Sequence, residues 1–301
     1  METKMKSGVV VLKKEEGISS QSAVTRIKRL FRADKAGHTG TLDPLATGVL
    51  PILIGRAVKA SEYMLTSDKH YRAIMRLGLT TDTEDITGDV LQTSEVTVSE
   101  EDVRAAVSSF LGKSMQIPPM YSALKVGGRK LCDIARSGGT VVREAREITV
   151  HEISVRKESD TDYALDVHCS KGTYIRTLCA DIGKKLGTGA VMAALERTHA
   201  SVFSLDDAHT LSELEEMSDE EREACIIPIE RVFECYKRVT LPEFFERLAR
   251  CGVEIYLSKL GLSLPKEERV TLYGKNGFFA LGEVREFDTG LAIKPIKQFD
   301  V

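Results

Sequence analysis

The residues best suited to chemistry lie in one stretch, Gly37-His38-Thr39-Gly40-Thr41-Leu42-Asp43-Pro44-Leu45-Ala46-Thr47-Gly48-Val49-Leu50-Pro51. Its three glycines, three threonines and two prolines in fifteen residues exclude a continuous helix. The glycines let the backbone approach a ligand closely. Pro44 biases the preceding Asp43 to an extended conformation, which fixes its carboxylate on a shaped loop. A carboxylate so held can act as nucleophile, general base or metal ligand. From composition alone, an aspartate that caps a turn is the simpler reading.

Other chemistries find less support. There is no G-x-x-x-x-G-K-[ST] phosphate loop and no G-x-G-x-x-G after a strand. The six histidines include no H-E-x-x-H pair, and Asp82, Glu84 and Asp85 miss a calcium loop because Ile86 stands where an oxygen ligand is needed. The cysteines, at 132, 169, 179, 225, 235 and 251, form no C-x-x-C pair. That scatter fits reduced thiols rather than a disulfide framework or zinc knuckle, and no cysteine has a nucleophile's context.

The elements that must position Asp43 alternate between strand-like and helix-like patterns. Gly8–Leu12 and Val49–Ile54 read as strands, and Ser19 or Ser20 can cap a helix whose Val24, Ile27, Leu30 and Phe31 share a face. Tyr71–Leu77 and Tyr163–Cys169 read as further strands. Ser99 with Asp102 resembles a capping box before a helix that Gly112 closes, and Gly172-Thr173 leads into a helix carrying Leu178, Ile182 and Leu186. Residues 205–234 read as an acidic, helix-bearing connection. Beyond 236, a helix near Pro242–Arg250 precedes short strands at Glu254–Leu257, Arg269–Tyr273, Phe278–Val284 and Leu291–Ile293, the pattern of a small β-rich domain. The mixture predicts an α/β or α+β architecture.

The 301-residue chain carries a net charge of −3, which argues against indiscriminate coating of a polyanion. The distribution says more. Residues 1–72 hold 13 basic and 7 acidic side chains, and residues 113–146 hold 7 and 2. Residues 82–102 hold eight acids and no base, and residues 205–234 hold 11 acids against two bases. Charges further apart than about 10 Å are screened at moderate salt, so these blocks do not cancel in space. Solvated faces explain any one block; two basic blocks around a Gly-rich motif also suit a cleft for a polyanion. No apolar run approaches the ~18 residues of a spanning helix. Lys4 and Lys6 before the first apolar run resemble a signal peptide, but Lys13, Lys14, Glu15 and Glu16 end that run early, so a cytoplasmic protein with no membrane association is expected.

Gly37–Pro51 resembles the nucleophile motif of the TruB family of tRNA pseudouridine synthases. Four further segments match in order: Tyr71–Gly88 (YRAIMRLGLTTDTEDITG), Gln116–Arg136 (QIPPMYSALKVGGRKLCDIAR), Lys171–Gly187 (KGTYIRTLCADIGKKLG) and Ala194–Thr198 (ALERT). The resemblance implies the α+β class, as a pseudouridine synthase fold with a mixed, mainly antiparallel sheet and flanking helices, over residues 1–235. Residues 236–301 more weakly resemble a PUA-like domain. It implies that Asp43 attacks the target nucleoside, that Tyr71 stacks on the flipped base and takes part in proton removal, and that Arg176 pairs with Asp43. A nearby guanidinium favours an ionised carboxylate. His38 matches a residue that holds the flipped-out RNA, and Tyr174 and Leu195 match contacts to the base. Lys125, Arg129 and Lys130, around Gly127-Gly128, are candidate phosphate contacts; a solvated hairpin tip explains them equally well. The expected reaction is isomerisation of the T-loop uridine (position 55) of tRNA to pseudouridine, by a monomer, with no cofactor and no metal. The alternative is a tRNA-folding chaperone that binds the same T-stem-loop without catalysis.

Overall fold

The computed structural model describes residues 7–299; Lys4 and Lys6 lie outside them. The first half contains β1 (Gly8–Lys14), α1 (Ser20–Leu30), β2 (Ala36–His38), β3 (Thr47–Ile54), α2 (Ser61–Leu65), β4 (Lys69–Leu77), β5 (Leu79–Thr81), β6 (Val90–Thr93), α3 (Glu100–Ser108), β7 (Gly112–Gln116), β8 (Lys125–Val126), β9 (Arg129–Lys130) and α4 (Leu131–Arg136). There follow β10 (Arg146–Lys157), β11 (Asp162–Cys169), α5 (Ile175–Leu186), β12 (Ala190–Ala200), β13 (Phe203–Ser204), α6 (Leu211–Glu216) and α7 (Asp219–Ala224). The tail holds β14 (Lys237–Thr240), α8 (Glu243–Arg250), β15 (Ile255–Tyr256), α9 (Leu257–Leu260), β16 (Arg269–Gly274), β17 (Gly277–Phe287) and β18 (Gly290–Gln298).

Among the described residues, a mixed sheet runs β1-β3-β12-β4-β11-β10-β7, with β2 and β13 on its flank. All its pairings are antiparallel except β3 with β12. Both faces of β1 and β3 are covered, which is why they read as unbroken apolar runs. Val10, Leu12, Leu50 and Ile52 meet Ala23, Val24 and Ile27 of α1 on one face. Val9, Val11, Val49 and Leu53 meet Phe203, Phe233, Phe278 and Phe299 on the other. Phe278 and Phe299 belong to the tail, so the second sheet (β14-β16-β17-β18-β15) docks on the reverse of the first. It also has its own core around Val239, Leu272, Phe279 and Ile293.

Local signals behave as their chemistry dictates. Ser19 Oγ accepts the Ser22 N–H and caps α1, and Ser99 with Asp102 forms the capping box of α3. Gly112 does not close α3: the helix stops at Ser108, where the Ser109 hydroxyl donates to the Ala106 carbonyl, and Gly112 opens β7 at φ 92°. The expected strand at Glu254–Leu257 shortens to Ile255–Tyr256 because Leu257 starts a helical turn.

The joint that shapes the Asp43 loop is where β3 crosses β12. Gly48 has φ 97°, and a Cβ there would collide with the Arg197 backbone. Gly128, in the β8–β9 turn at φ 83°, faces open space. Gly48→Ala is therefore expected to lower stability by ~3 kcal/mol or more, from left-handed strain plus overpacking. Gly128→Ala costs ~1–2 kcal/mol from strain alone. Urea denaturation of the two variants checks this; equal costs would show that β3 can simply move off β12.

Candidate active site

Asp43 sits on the loop between β2 and β3, and nearly every turn of that loop is gripped from outside. The Ser20 hydroxyl donates to the Leu42 carbonyl and accepts the Leu42 N–H, each at 2.8 Å. The Lys14 ammonium donates to the carbonyls of Ala46 (2.6 Å), Pro44 (3.3 Å) and Glu15 (2.8 Å). Arg197 donates to the Gly40 carbonyl (3.1 Å) and the Val49 carbonyl (2.8 Å). Lys14 and Arg197 are buried, and burial lowers the Lys14 pKa to about 8. A buried cation that saturates carbonyls stiffens a loop lacking regular hydrogen bonds of its own.

The Asp43 carboxylate meets the guanidinium of Arg176, on the first turn of α5, with Nε 3.0 Å from Oδ2. Arg176 Nη1 donates to the Thr83 carbonyl (2.9 Å) and Asp85 (3.4 Å), and Nη2 donates to the Tyr121 carbonyl (2.7 Å). Asp85 is itself fixed by the Thr83 hydroxyl (2.8 Å), the Thr87 N–H (3.0 Å) and the Thr87 hydroxyl (2.6 Å). The Arg176 side chain is 5% exposed, whereas that of Asp43 is 39% exposed, so the carboxylate is presented to the cavity while its partner is sealed behind it.

That cavity, about 260 Å³, is lined by Asp43, Lys69, Tyr71, Tyr174, Leu195 and Arg197 among others. It falls just below the ~300–1,000 Å³ of typical small-molecule clefts and suits one nucleoside. Tyr71 points into it from β4, with Lys69 on the same strand face. Burial pushes the Tyr71 phenol above its ordinary pKa, and Arg197, hydrogen-bonded to it, pulls the other way. Asp43 is also pushed up: burial dominates, Asp85 adds to it, and Arg176 and Lys14 oppose it. Arg176 thus moderates the cost of burying the carboxylate without cancelling it.

The similarity to known proteins matches this geometry. Residues 28–175 match the model "TruB family pseudouridylate synthase (N terminal domain)". Residues 176–234 match "tRNA pseudouridylate synthase B C-terminal domain". A protein of Ralstonia nicotianae named tRNA pseudouridine synthase B is 46% identical over 90% of this chain and 86% of its own. One of the same name from Clostridium tetani is 41% identical over 92% of this chain and 95% of its own. The chain belongs to the TruB family. Its fold also resembles a chain in the crystal structure of a Cbf5-Nop10-Gar1 complex, with TM-score 0.70 and 26% identity over 98% of this chain and 85% of that one. The second TruB model begins inside α5 and includes β12, so in three dimensions both matched segments build one sheet.

The structure brings five expected site residues to one cavity: Asp43, Tyr71, Tyr174, Arg176 and Leu195. His38 is not among the lining residues; it lies on β2, and its Nδ1 accepts the Gly40 N–H at 3.3 Å. Burial and Arg197 lower its pKa, which keeps Nδ1 free to accept and assigns the ring proton to Nε2. Lys125, Arg129 and Lys130 are exposed on the β8–β9 hairpin and are not among the cavity's lining residues; the hairpin follows in sequence the lining residues Tyr121, Ser122 and Ala123. Gly127 and Gly128, both at positive φ, make its tight primed turn. Composition left unmarked four residues that hold the cavity's walls in place: Lys14, Asp85, Gln116 and Arg197. Gln116 clamps Tyr174, accepting its N–H (2.8 Å) and donating to its carbonyl (3.1 Å). No local signal marks Lys14 or Arg197: the first stands in a run of four charges and the second in a mixed polar stretch.

A raised pKa in the folded state means that ionised Asp43 is less favourable there than in the unfolded chain, so neutralising it at neutral pH removes a cost. Asp43→Asn is therefore expected to melt at or above the wild-type temperature at pH 7, since Asn Oδ1 still accepts from Arg176. A Tm several degrees below wild type in calorimetry would contradict this, at roughly 2–4 °C per kcal/mol for a chain somewhat smaller than this one.

Proposed function

We propose that this chain isomerises the T-loop uridine of tRNA, position 55, to pseudouridine, with Asp43 as nucleophile on a flipped-out base. One observation carries the reading: a partly desolvated carboxylate, ion-paired at 3.0 Å to a sealed arginine, lines a nucleoside-sized cavity in a TruB-family chain. Asp43 attacks the nucleoside and the N1–C1′ bond breaks. The detached uracil turns, C5 bonds to C1′ as the bond to Asp43 breaks and frees the carboxylate, the hydrogen at C5 leaves as a proton, and N1 gains one. Atoms and electrons balance without a redox partner, so these residues need no cofactor for the step.

Each side chain has a part that its surroundings support. Arg176 aims Asp43 and favours its ionised form. Tyr71 stacks on the base; in the free site its raised pKa keeps it a neutral phenol. Taking part in removal of the C5 proton requires the phenol to release its own proton, which N1 can take, and the Arg197 guanidinium stabilises the oxygen's negative charge until the C5 proton replaces it. Tyr174 and Leu195 wall the base in. His38 stiffens the loop through Gly40 and leaves Nε2–H to donate to RNA. Removing the uridine from its stack costs a few kcal/mol, which shape and phosphate contacts to a folded T-loop offset. Lys125, Arg129 and Lys130 supply positive charge for those contacts.

We assign residues 1–235 to the catalytic domain and 236–301 to a PUA-like domain that extends the RNA-binding surface; its own sheet begins at Lys237. We further propose that the protein acts as a monomer in the cytoplasm. A chaperone on the same fold would need the cavity and basic surface but would gain nothing from a carboxylate held at a desolvation cost. That cost favours the enzyme.

The test is a T-stem-loop RNA tritiated at uracil C5. Wild type is expected to release tritium to water, and Asp43→Asn to release none. Release undiminished in the variant would remove Asp43 from the role of nucleophile, and tight binding with no release by wild type would favour the chaperone.

A further inference from the structure

Four of the chain's six histidines stand side by side on the face of the sheet opposite Tyr71. His70 follows Lys69 and precedes Tyr71 on β4, so its side chain projects away from the cavity they line. In the register of the sheet, His168 of β11 is the partner of His70, and His199 of β12 is its partner on the other side. His151 of β10 completes the row. The rings touch in sequence: His151–His168 centroids are 4.7 Å apart, His168–His70 3.9 Å and nearly parallel, and His70–His199 5.0 Å.

Two irregularities create this row. The β10–β11 register shifts between Val150 and Glu152, and the β12–β4 register shifts between Arg197 and His199. In β10, the core-facing residues run Ile148 and Val150, then Ile153 and Val155, so the alternation changes phase at the extra residue. His151 and Glu152 are both exposed there. A bulge re-aims a side chain in this way. Asp68, in the turn before β4, meets the row at one end. Its Oδ2 lies 3.3 Å from His151 Nε2 and 3.9 Å from His168 Nε2, and the three candidate donor atoms all lie within 4.8 Å of one another.

We propose that His151 Nε2, His168 Nε2 and Asp68 Oδ2 form a site for a late first-row divalent cation of the zinc class. A tetrahedral ion with bonds of about 2.0–2.1 Å to nitrogen and oxygen has ligand atoms ~3.3 Å apart. The His151–Asp68 distance already matches, the His168–Asp68 distance of 3.9 Å is somewhat longer, and the two histidine donors lie within 4.8 Å of each other, so modest side-chain shifts close the site. Two imidazoles and one carboxylate suit zinc, copper or nickel and not magnesium, which prefers an all-oxygen shell. The exposed fourth position is left to water. His70, stacked on His168, orients that ligand from outside the coordination shell. An ion there would tie together β10, β11 and the turn that leads into β4, on the far side of the strand from Tyr71. It takes no part in the isomerisation proposed above, so the test of one reading does not depend on the other.

The experiment is calorimetric titration of the full-length, metal-stripped protein with zinc chloride, with and without excess magnesium. It is repeated on His151→Ala and Asp68→Asn, whose folds are checked by circular dichroism. Both altered residues are exposed, so neither change removes core packing. Wild type is expected to bind one equivalent of zinc that magnesium does not displace, and each variant to bind at least ~100-fold more weakly, more than the loss of an outer-shell partner typically costs. Cobalt(II) bound to wild type should show ligand-field bands without thiolate charge transfer. No saturable zinc binding by wild type, binding unchanged in a folded variant, or a thiolate band from the exposed Cys235 or Cys251 would each overturn the proposal.

Discussion

Arg176 is the group on which the rest of the site depends. A guanidinium this buried must spend its donors on fixed acceptors, and it does so on Asp43, Asp85 and the carbonyls of Thr83 and Tyr121. These come from three separate segments: the β2–β3 loop, the turn after β5, and the chain between β7 and β8. One planar fork therefore sets where three irregular segments meet, and lysine cannot replace it, because a point charge lacks those directed donors. Removing the arginine from such a buried cluster typically costs ~3–5 kcal/mol, so the fold is committed to this geometry.

The same logic extends outward. The Asp43 loop has little secondary structure and takes its shape from Ser20, Lys14 and Arg197, which hold its backbone from three sides. Those residues are positioned in turn by β1, α1 and β12, whose apolar faces make the main core. A one-residue slip of β1 or β3 would send every side chain into the other core, whose packing it does not fit. The Asp43 carboxylate is thereby presented by a rigid frame, and the tail, packed on the reverse of β1 and β3, thickens that frame at a distance from the cavity.

Sequence revealed what is encoded locally. The capping serines, the apolar runs of β1 and β3, the helix that follows Gly172-Thr173 and the Asp43-Pro44 loop all follow from neighbours in the chain. Contacts between distant segments were hidden. β12, with its Ala-Leu-Glu-Arg run, has good helix formers, yet it is a strand because it lies between β3 and β4. Asp85 sits in an acidic run that reads as a solvated face and is instead buried against Arg176. Lys14 reads as one of a charged cluster, and only the fold shows that its ammonium turns inward. The histidine row was invisible for the same reason: its members lie on four strands, and bulges rather than spacing align them.

The central claim is that Asp43 carries a desolvation cost that Arg176 offsets only in part. Carbon-13 NMR titration of the Asp43 carboxyl, in wild type and in Arg176→Lys, measures this directly. The account predicts a wild-type pKa above the ordinary aspartate value of about 3.9 and a further rise in the variant. A wild-type value at or below the ordinary one, or a value that Arg176→Lys leaves unchanged, would contradict it.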